Sequence, residues 1–520
     1  MSRSAFANLV QPTFIPASAT KAVSNIGAWS RAVPIALAVV ASAIALSTWG
    51  NWSILSPDSF TYLTAARSIY DTGGLPAERL IAPPGFPMFL APLSALGEMP
   101  LGAFRIAAAA CFAATVVLTW KLFQIELGKY GAPVAALLVA TSGPMINQSA
   151  TLQSEIAFTP IALACLLLAA RWRTHKPVSH WEAIFGGLLA AIATFVRSAG
   201  IVLAPIMFLA CLTNRGSTRQ AKLVATMLVV AGFVIPQAAW SFRQNSYPAG
   251  YSYGTIWTTP REIEQTDATG IELQARRLAV FGPQRLADLT QAIVPNHLGW
   301  RFISGPHAST ARWIIGGGLI VAALVRLVRL RSPIDLFFLL TMGMLALWPW
   351  NEGVRLVTPL IPILCGYACW LFLGVLKRAS NQRPLTIACA AIGTVCLAGQ
   401  LIELPYTHAA LNRRAPRAIA RVDQMEQLAN WQREHLPNDA RVLSVTRPGD
   451  NAKLVLIGAC YLSRRPVNEF IESDADTIPQ TLPGNGPAYA FVDDGAVDRP
   501  LPDGAAEIGC PGTFRVIQLR

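Results

Sequence analysis

The sequence predicts an all-α polytopic membrane protein of about eleven spanning helices, followed by a small extracytoplasmic α/β domain. Three observations predict it. The chain is 53% hydrophobic and only 14% charged, whereas soluble domains carry about 25% charged residues. Apolar runs recur through residues 33–403, and a spanning helix needs roughly 20 mainly apolar residues. Beyond about residue 404 the composition becomes that of a soluble chain.

The runs lie at about 33–50, 105–122, 132–148, 155–170, 181–196, 199–213, 222–242, 312–328, 334–350, 355–376 and 384–403. Several are short or interrupted by Gly and Pro, and only Arg197-Ser198-Ala199 divides the fifth from the sixth. Loop charge orders them. Lys121 and Lys129 follow the second run, Arg171, Arg173 and Lys176 the fourth, and Arg215, Arg219 and Lys222 the sixth. Arg326, Arg329 and Arg331 follow the eighth, and Lys377, Arg378 and Arg383 the tenth. The short odd-numbered turns are nearly free of basic residues. By the positive-inside rule, residues 1–32 are cytoplasmic and the C-terminus is outside the cytoplasm. The expected location is the inner (cytoplasmic) membrane, with the first span kept as an anchor because no cleavage pattern precedes it. The net charge of +13 is then a topological signal beside anionic lipid and calls for no nucleic acid.

Two extracytoplasmic loops interrupt the expected membrane domain of residues 33–404. The first, 51–104, opens with Ser56-Pro57-Asp58-Ser59, where Asp or Ser can cap a helix. Tyr62, Ala65, Ala66 and Ile69 then recur at helical spacing, as in an amphipathic helix lying on the membrane surface. A stiff Pro83-Pro84-Gly85-Phe86-Pro87 turn follows, then an apolar run, Met88–Leu96. The second loop, 243–311, carries an aromatic stretch containing Tyr253 and Trp257. Long loops of this kind are commonly binding elements or lids. Residues 261–291 read as helical. In the C-terminal domain, 405–520, Ala418–Glu434 reads as a helix, Ala440–Val445 and Ala488–Val492 as short strands, and Leu454–Cys460 as a helix or strand.

Of nine cysteines, seven lie in apolar runs, where a thiol acts as a small hydrophobe. Cys460 and Cys510 lie in the tail, in a compartment that permits a disulfide between them. The six histidines show no metal-ligand spacing, and no Cys/His pattern suggests zinc.

Threading the runs puts Asp58, Glu155, Arg197 and Arg355 on the same, outer side of the membrane. Polar groups at membrane depth are costly, so their gathering on one face marks a site. Asp58 can act as a general base or cap its helix. Glu155 can serve chemistry or simply favour a helix start. Arg197 and Arg355 match phosphate oxygens or reach outer headgroups, and Glu352 stands near enough in sequence to pair with Arg355. The Trp348/Trp350 pair reads as part of an interfacial aromatic belt.

In this order the residues resemble the polytopic GT-C glycosyltransferases, in the branch related to protein O-mannosyltransferases and the lipid A aminoarabinose transferase. The resemblance rests on Ser56-Pro57-Asp58-Ser59-Phe60-Thr61-Tyr62-Leu63-Thr64-Ala65-Ala66, on Pro83-Pro84-Gly85-Phe86-Pro87, on Ser154-Glu155, on Arg197, and on Arg355-Leu356-Val357-Thr358-Pro359-Leu360-Ile361-Pro362. It implies an inverting transfer of a sugar from a polyprenyl-phosphate donor to an extracytoplasmic acceptor (lipid, glycan or protein). Asp58 matches the family's catalytic Asp, with Glu155 expected beside it in catalysis. Arg355, with Arg197, matches the donor-phosphate position, and Tyr62, Tyr253 and Trp257 are expected substrate or loop contacts. The family often has an acid after the first-loop Asp. Ser59 stands there instead, which leaves a divalent metal ion as an open cofactor. The alternative reading is a transporter or flippase of a lipid-linked saccharide, which would place polar residues near the bilayer midplane; here the runs are apolar at their centres.

Overall fold

The computed structural model describes residues 26–47, 55–75, 83–97, 100–173, 176–245, 257–260, 266–293, 308–350, 352–379, 383–437, 440–446, 451–463, 467–472, 487–493, 506–508 and 514–519. Two compact units divide it. One holds residues 1–47, 106–149 and 154–408; the other holds 48–105, 150–153 and 409–520.

In chain order the helices are α1 (Ile26–Ser47), α2 (Pro57–Thr72), α3 (Gly85–Leu90), α4 (Leu101–Ala140), α5 (Gly143–Ser149), α6 (Ser154–Trp172), α7 (His180–Val196), α8 (Leu203–Leu212), α9 (Arg219–Asn245), α10 (Gly270–Ile293), α11 (Ala308–Leu330), α12 (Pro333–Ala346), α13 (Val354–Val357), α14 (Ile361–Ala379) and α15 (Arg383–His435). Then come β1 (Arg441–Thr446), α16 (Asn451–Ser463), β2 (Val467–Glu472), β3 (Ala488–Asp493), β4 (Ala506–Ile508) and β5 (Phe514–Leu519).

Among the described residues five helical stretches are long and apolar enough to cross a membrane: Leu101–Lys129, Ser154–Trp172, Arg219–Gln244, Arg312–Leu330 and Val354–Leu373. Shorter apolar helices lie at Ala32–Ser47, Gly131–Ala140, His180–Val196, Ser198–Leu212 and Pro333–Ala346. The run at 384–403 lies within α15. Non-helical backbone at Gly128 breaks α4 between its two apolar halves. The doubtful pair at 181–196 and 199–213 consists of two separate helices, because Arg197 adopts extended backbone between them.

The second unit is built on a five-stranded sheet of order β2-β1-β3-β5-β4. β1 runs parallel to β2 and to β3, whereas β5 is antiparallel to both β3 and β4. α16 supplies the crossover that a parallel β1–β2 connection requires. Leu428, Ala429 and Trp431, near the end of α15, are buried in this unit, and the Trp431 ring meets Phe491 of β3 edge-on at 6.1 Å. Cys460 is buried and accepts a hydrogen bond from Gln432 at 3.5 Å; Cys510, and so the expected disulfide, lies outside the described residues.

α2 belongs to this unit, so the first-loop helix and the C-terminal sheet share one body. Phe60 and Leu63 are buried, and the Phe60 ring lies 6.0 Å from Tyr461 of α16. The approach is tight: a Cβ on Gly458 would lie 2.3 Å from the Met425 sulfur and 3.0 Å from Phe60. Burying one such Phe contributes about 1.5–3 kcal/mol. The apolar face of α2 is therefore covered by protein rather than left for a lipid surface.

Candidate active site

α2 carries Asp58 in its first turn, but Asp58 is not the cap. Ser56 is the N-cap, in a reciprocal capping box with Ser59. The Ser59 backbone N–H donates to Ser56 Oγ at 3.3 Å, and the Ser56 N–H donates to Ser59 Oγ at 3.0 Å. The signal was the Ser-x-x-Ser spacing, which satisfies two helix-start donors without using the carboxylate. Asp58 itself is exposed. Ser59 Oγ also donates to the Leu152 carbonyl at 2.8 Å, a buried bond to the strap of residues 150–153. Tyr62 is buried and meets Phe86 edge-on at 4.9 Å, a packing contact between α2 and α3.

In the first unit, three distant parts of the chain converge on one carboxylate. Glu155 opens α6 and is 0% exposed. Its Oε1 lies 2.7 Å from Arg197 Nη1 and 2.6 Å from Arg355 Nε. Arg197 Nη1 also donates to Ser154 Oγ at 3.4 Å. Each arginine is placed by a helix break. Arg197 closes α7 in extended conformation before the 3₁₀ turn Ser198–Val202. Arg355 lies in the short α13 turn, entered through Gly353 at φ +59° and followed by a 3₁₀ turn containing Pro359. Gly353 permits a conformation that side chains with a Cβ rarely adopt.

A second carboxylate completes the group. Glu352 Oε2 lies 3.1 Å from Arg355 Nη1. The side chains grade outward: Glu155 is 0% exposed, Arg197 15%, Arg355 21% and Glu352 30%. A carboxylate buried without partners would cost several kcal/mol; here two guanidinium groups compensate it and are themselves held in place.

Sequence reading missed the residue that braces this turn. Arg285 of α10 is fully buried. Its Nε donates to the Leu345 carbonyl at 3.2 Å, its Nη2 to the Trp350 carbonyl, and its Nη1 pairs with Asp288 at 2.9 Å. Both carbonyls belong to the segment leading into Glu352 and Arg355. Nearby, Trp348 lies 5.0 Å from Trp350 and 6.2 Å from Trp257, and Gln274 of α10 donates to the Trp257 carbonyl at 2.6 Å. Trp257 thus belongs to an aromatic cluster on this loop, and Trp348 and Trp350 pack with it. Tyr253 lies outside the described residues. Among the described residues no group of three or more His, Cys, Asp or Glu is arranged to hold a metal ion.

Residues 82–240 match the family model of dolichyl-phosphate-mannose-protein mannosyltransferase. No curated protein matches the chain. Among solved structures, ArnT from Cupriavidus metallidurans bound to undecaprenyl phosphate is similar at TM-score 0.55 and 12% identity, covering 94% of this chain and 97% of that one. The apo state of the same protein matches at TM-score 0.52 and 12% identity, covering 92% and 97%. The Archaeoglobus fulgidus oligosaccharyltransferase tethered to an acceptor peptide matches at TM-score 0.47 and 14% identity, covering 84% of this chain and 64% of that one. The chain is thus similar in fold to ArnT along nearly its whole length, and its residues 82–240 match the protein mannosyltransferase model.

Proposed function

We propose that the protein is a multi-pass inner-membrane glycosyltransferase. It moves a sugar from a polyprenyl-phosphate donor to an acceptor outside the cytoplasm, through about eleven spans with the N-terminus cytoplasmic and the C-terminal domain outside. The observation that carries this reading is the convergence of Arg197 and Arg355 on buried Glu155.

A lipid phosphate gains negative charge at its bridging oxygen as the bond to the anomeric carbon breaks. Guanidinium groups fixed in advance stabilise that charge without reorganising, which is the efficient way to lower such a barrier. Glu155 is expected in catalysis by position. Its full burial and double pairing instead support a positioning role: it aims the two arginines and takes no proton. Asp58 is the general base. It accepts the acceptor's proton as the acceptor attacks the anomeric carbon, and direct displacement inverts configuration there. The C-terminal part of the chain contributes by packing α16 against the helix that carries Asp58.

The test is transfer from a radiolabelled polyprenyl-phosphate sugar by the purified full chain. Asp58→Asn is expected to lower turnover about 10²–10⁴-fold, the range for loss of a general base, with an unchanged melting profile. Turnover equal to wild type would remove Asp58 as the base, and a product of retained configuration would contradict direct displacement.

A further inference from the structure

The site cluster is charge-balanced: two guanidinium groups face two carboxylates. A phosphate anion approaching it meets no net positive charge until one carboxylate withdraws. Glu155 cannot withdraw, since it is fully buried and bonded to both arginines. Glu352 can. It is the most exposed member, holds Arg355 by a single 3.1 Å ion pair, and precedes Gly353. Gly353 has φ +59°, and a Cβ there would touch nothing within 4 Å, so the space beside the turn is open.

We propose that Glu352 is a resident stand-in for the donor phosphate: its carboxylate occupies the outer edge of the Arg355 guanidinium and is displaced when a prenyl phosphate binds. The inference rests on the reading that Arg355 holds the donor phosphate. A carboxylate and a phosphate present similar oxygen acceptors to a guanidinium fork, so one can replace the other at the same donor. The device keeps the arginine aimed while the site is empty. It also weakens retention of the spent lipid phosphate, because Glu352 competes for the same guanidinium. The remaining three groups, Glu155 with two arginines, leave a single positive charge to meet the phosphate.

The experiment is a titration of the purified full chain in detergent with farnesyl monophosphate, comparing wild type, Glu352→Gln and Glu352→Ala. Both variants are expected to bind about fivefold tighter, the scale set by removing one partly exposed ion pair. In turnover, the spent lipid phosphate becomes a stronger inhibitor by a similar factor. A role for Glu352 in merely shaping the turn would weaken binding, so equal or weaker affinity in both variants overturns the stand-in while leaving the phosphate site in place. Wild type and variants that all fail to bind the probe overturn the phosphate reading itself, and the stand-in with it.

Discussion

The first unit holds two charge clusters of similar composition, and their difference separates a site from a staple. At the start of α6 stands Glu155 with Arg197, Arg355 and Glu352. At the far end of α12 from Leu345 stands Asp335 with Arg326, Glu126 and Tyr367. There Arg326 Nη2 lies 2.6 Å from Glu126 and its Nε 2.9 Å from Asp335, while Tyr367 donates to Asp335 at 2.6 Å. Tyr367 and Trp370 face the guanidinium at 4.9 and 4.8 Å. Arg326 and Asp335 are buried, and the rings cover the cation on its faces. In the first cluster two arginines share a buried acid and keep outer edges toward solvent. In the second one arginine is enclosed by two acids and two rings. The second geometry ties α4, α11, α12 and α14 together and offers a ligand no approach.

Breaking each cluster should therefore give different kinds of loss. The largest effect expected on stability is from Arg326→Ala, about 3–5 kcal/mol, because buried Asp335 and half-buried Glu126 lose their shared cation. It reads as a lower melting temperature and a poor yield of folded protein in detergent. Arg285→Ala should cost about 2–3 kcal/mol through the Leu345 and Trp350 carbonyls and Asp288 it leaves behind. It should also raise the donor KM more than it lowers protein yield, since the turn carrying Arg355 loses its brace. Gly353→Ala, at φ +59°, should cost about 1–2 kcal/mol of backbone strain and impair transfer with the helices intact. The smallest effect is Ser59→Ala, about 0.5–1.5 kcal/mol for the lost hydroxyl bonds to the Ser56 N–H and the Leu152 carbonyl, with Ser56 still the cap. Its melting shift should be small, and a lower kcat would show that the capping box aims Asp58. A wild-type melting profile for Arg326→Ala would erase the distinction between the clusters.

The two clusters also differ in how well the sequence announces them. Glu155, Arg197 and Arg355 each stand at the edge of an apolar run, in turns where basic residues are otherwise scarce, so their position alone singled them out. Arg326 reads as one of three basic residues after the eighth run. Nothing local shows that it turns inward, because Glu126 lies two hundred positions earlier and pairing at that distance is a property of packing. The available signal was the presence of Glu126 and Asp335 among loops chosen for positive charge, a bias that takes little account of acids. Arg285 was hidden for a related reason. It sits in a polar helix of the second long loop, where the Asp288 three positions on marks only a local pair, and its distant partners are backbone carbonyls, which carry no sequence mark. The strand positions 440–445 and 488–492 were legible as short apolar runs and coincide with β1 and β3. The joining of α2 to the C-terminal sheet in one unit was not, since its apolar face suits lipid and protein equally well.

The most direct measurement is steady-state transfer from a radiolabelled polyprenyl-phosphate sugar by Arg355→Ala, with Arg197→Ala beside it, in protein whose melting matches wild type. A fall of about 10²–10³ in kcat is expected for Arg355→Ala, the scale for one lost donor at a developing anion. Wild-type turnover in both variants would contradict it.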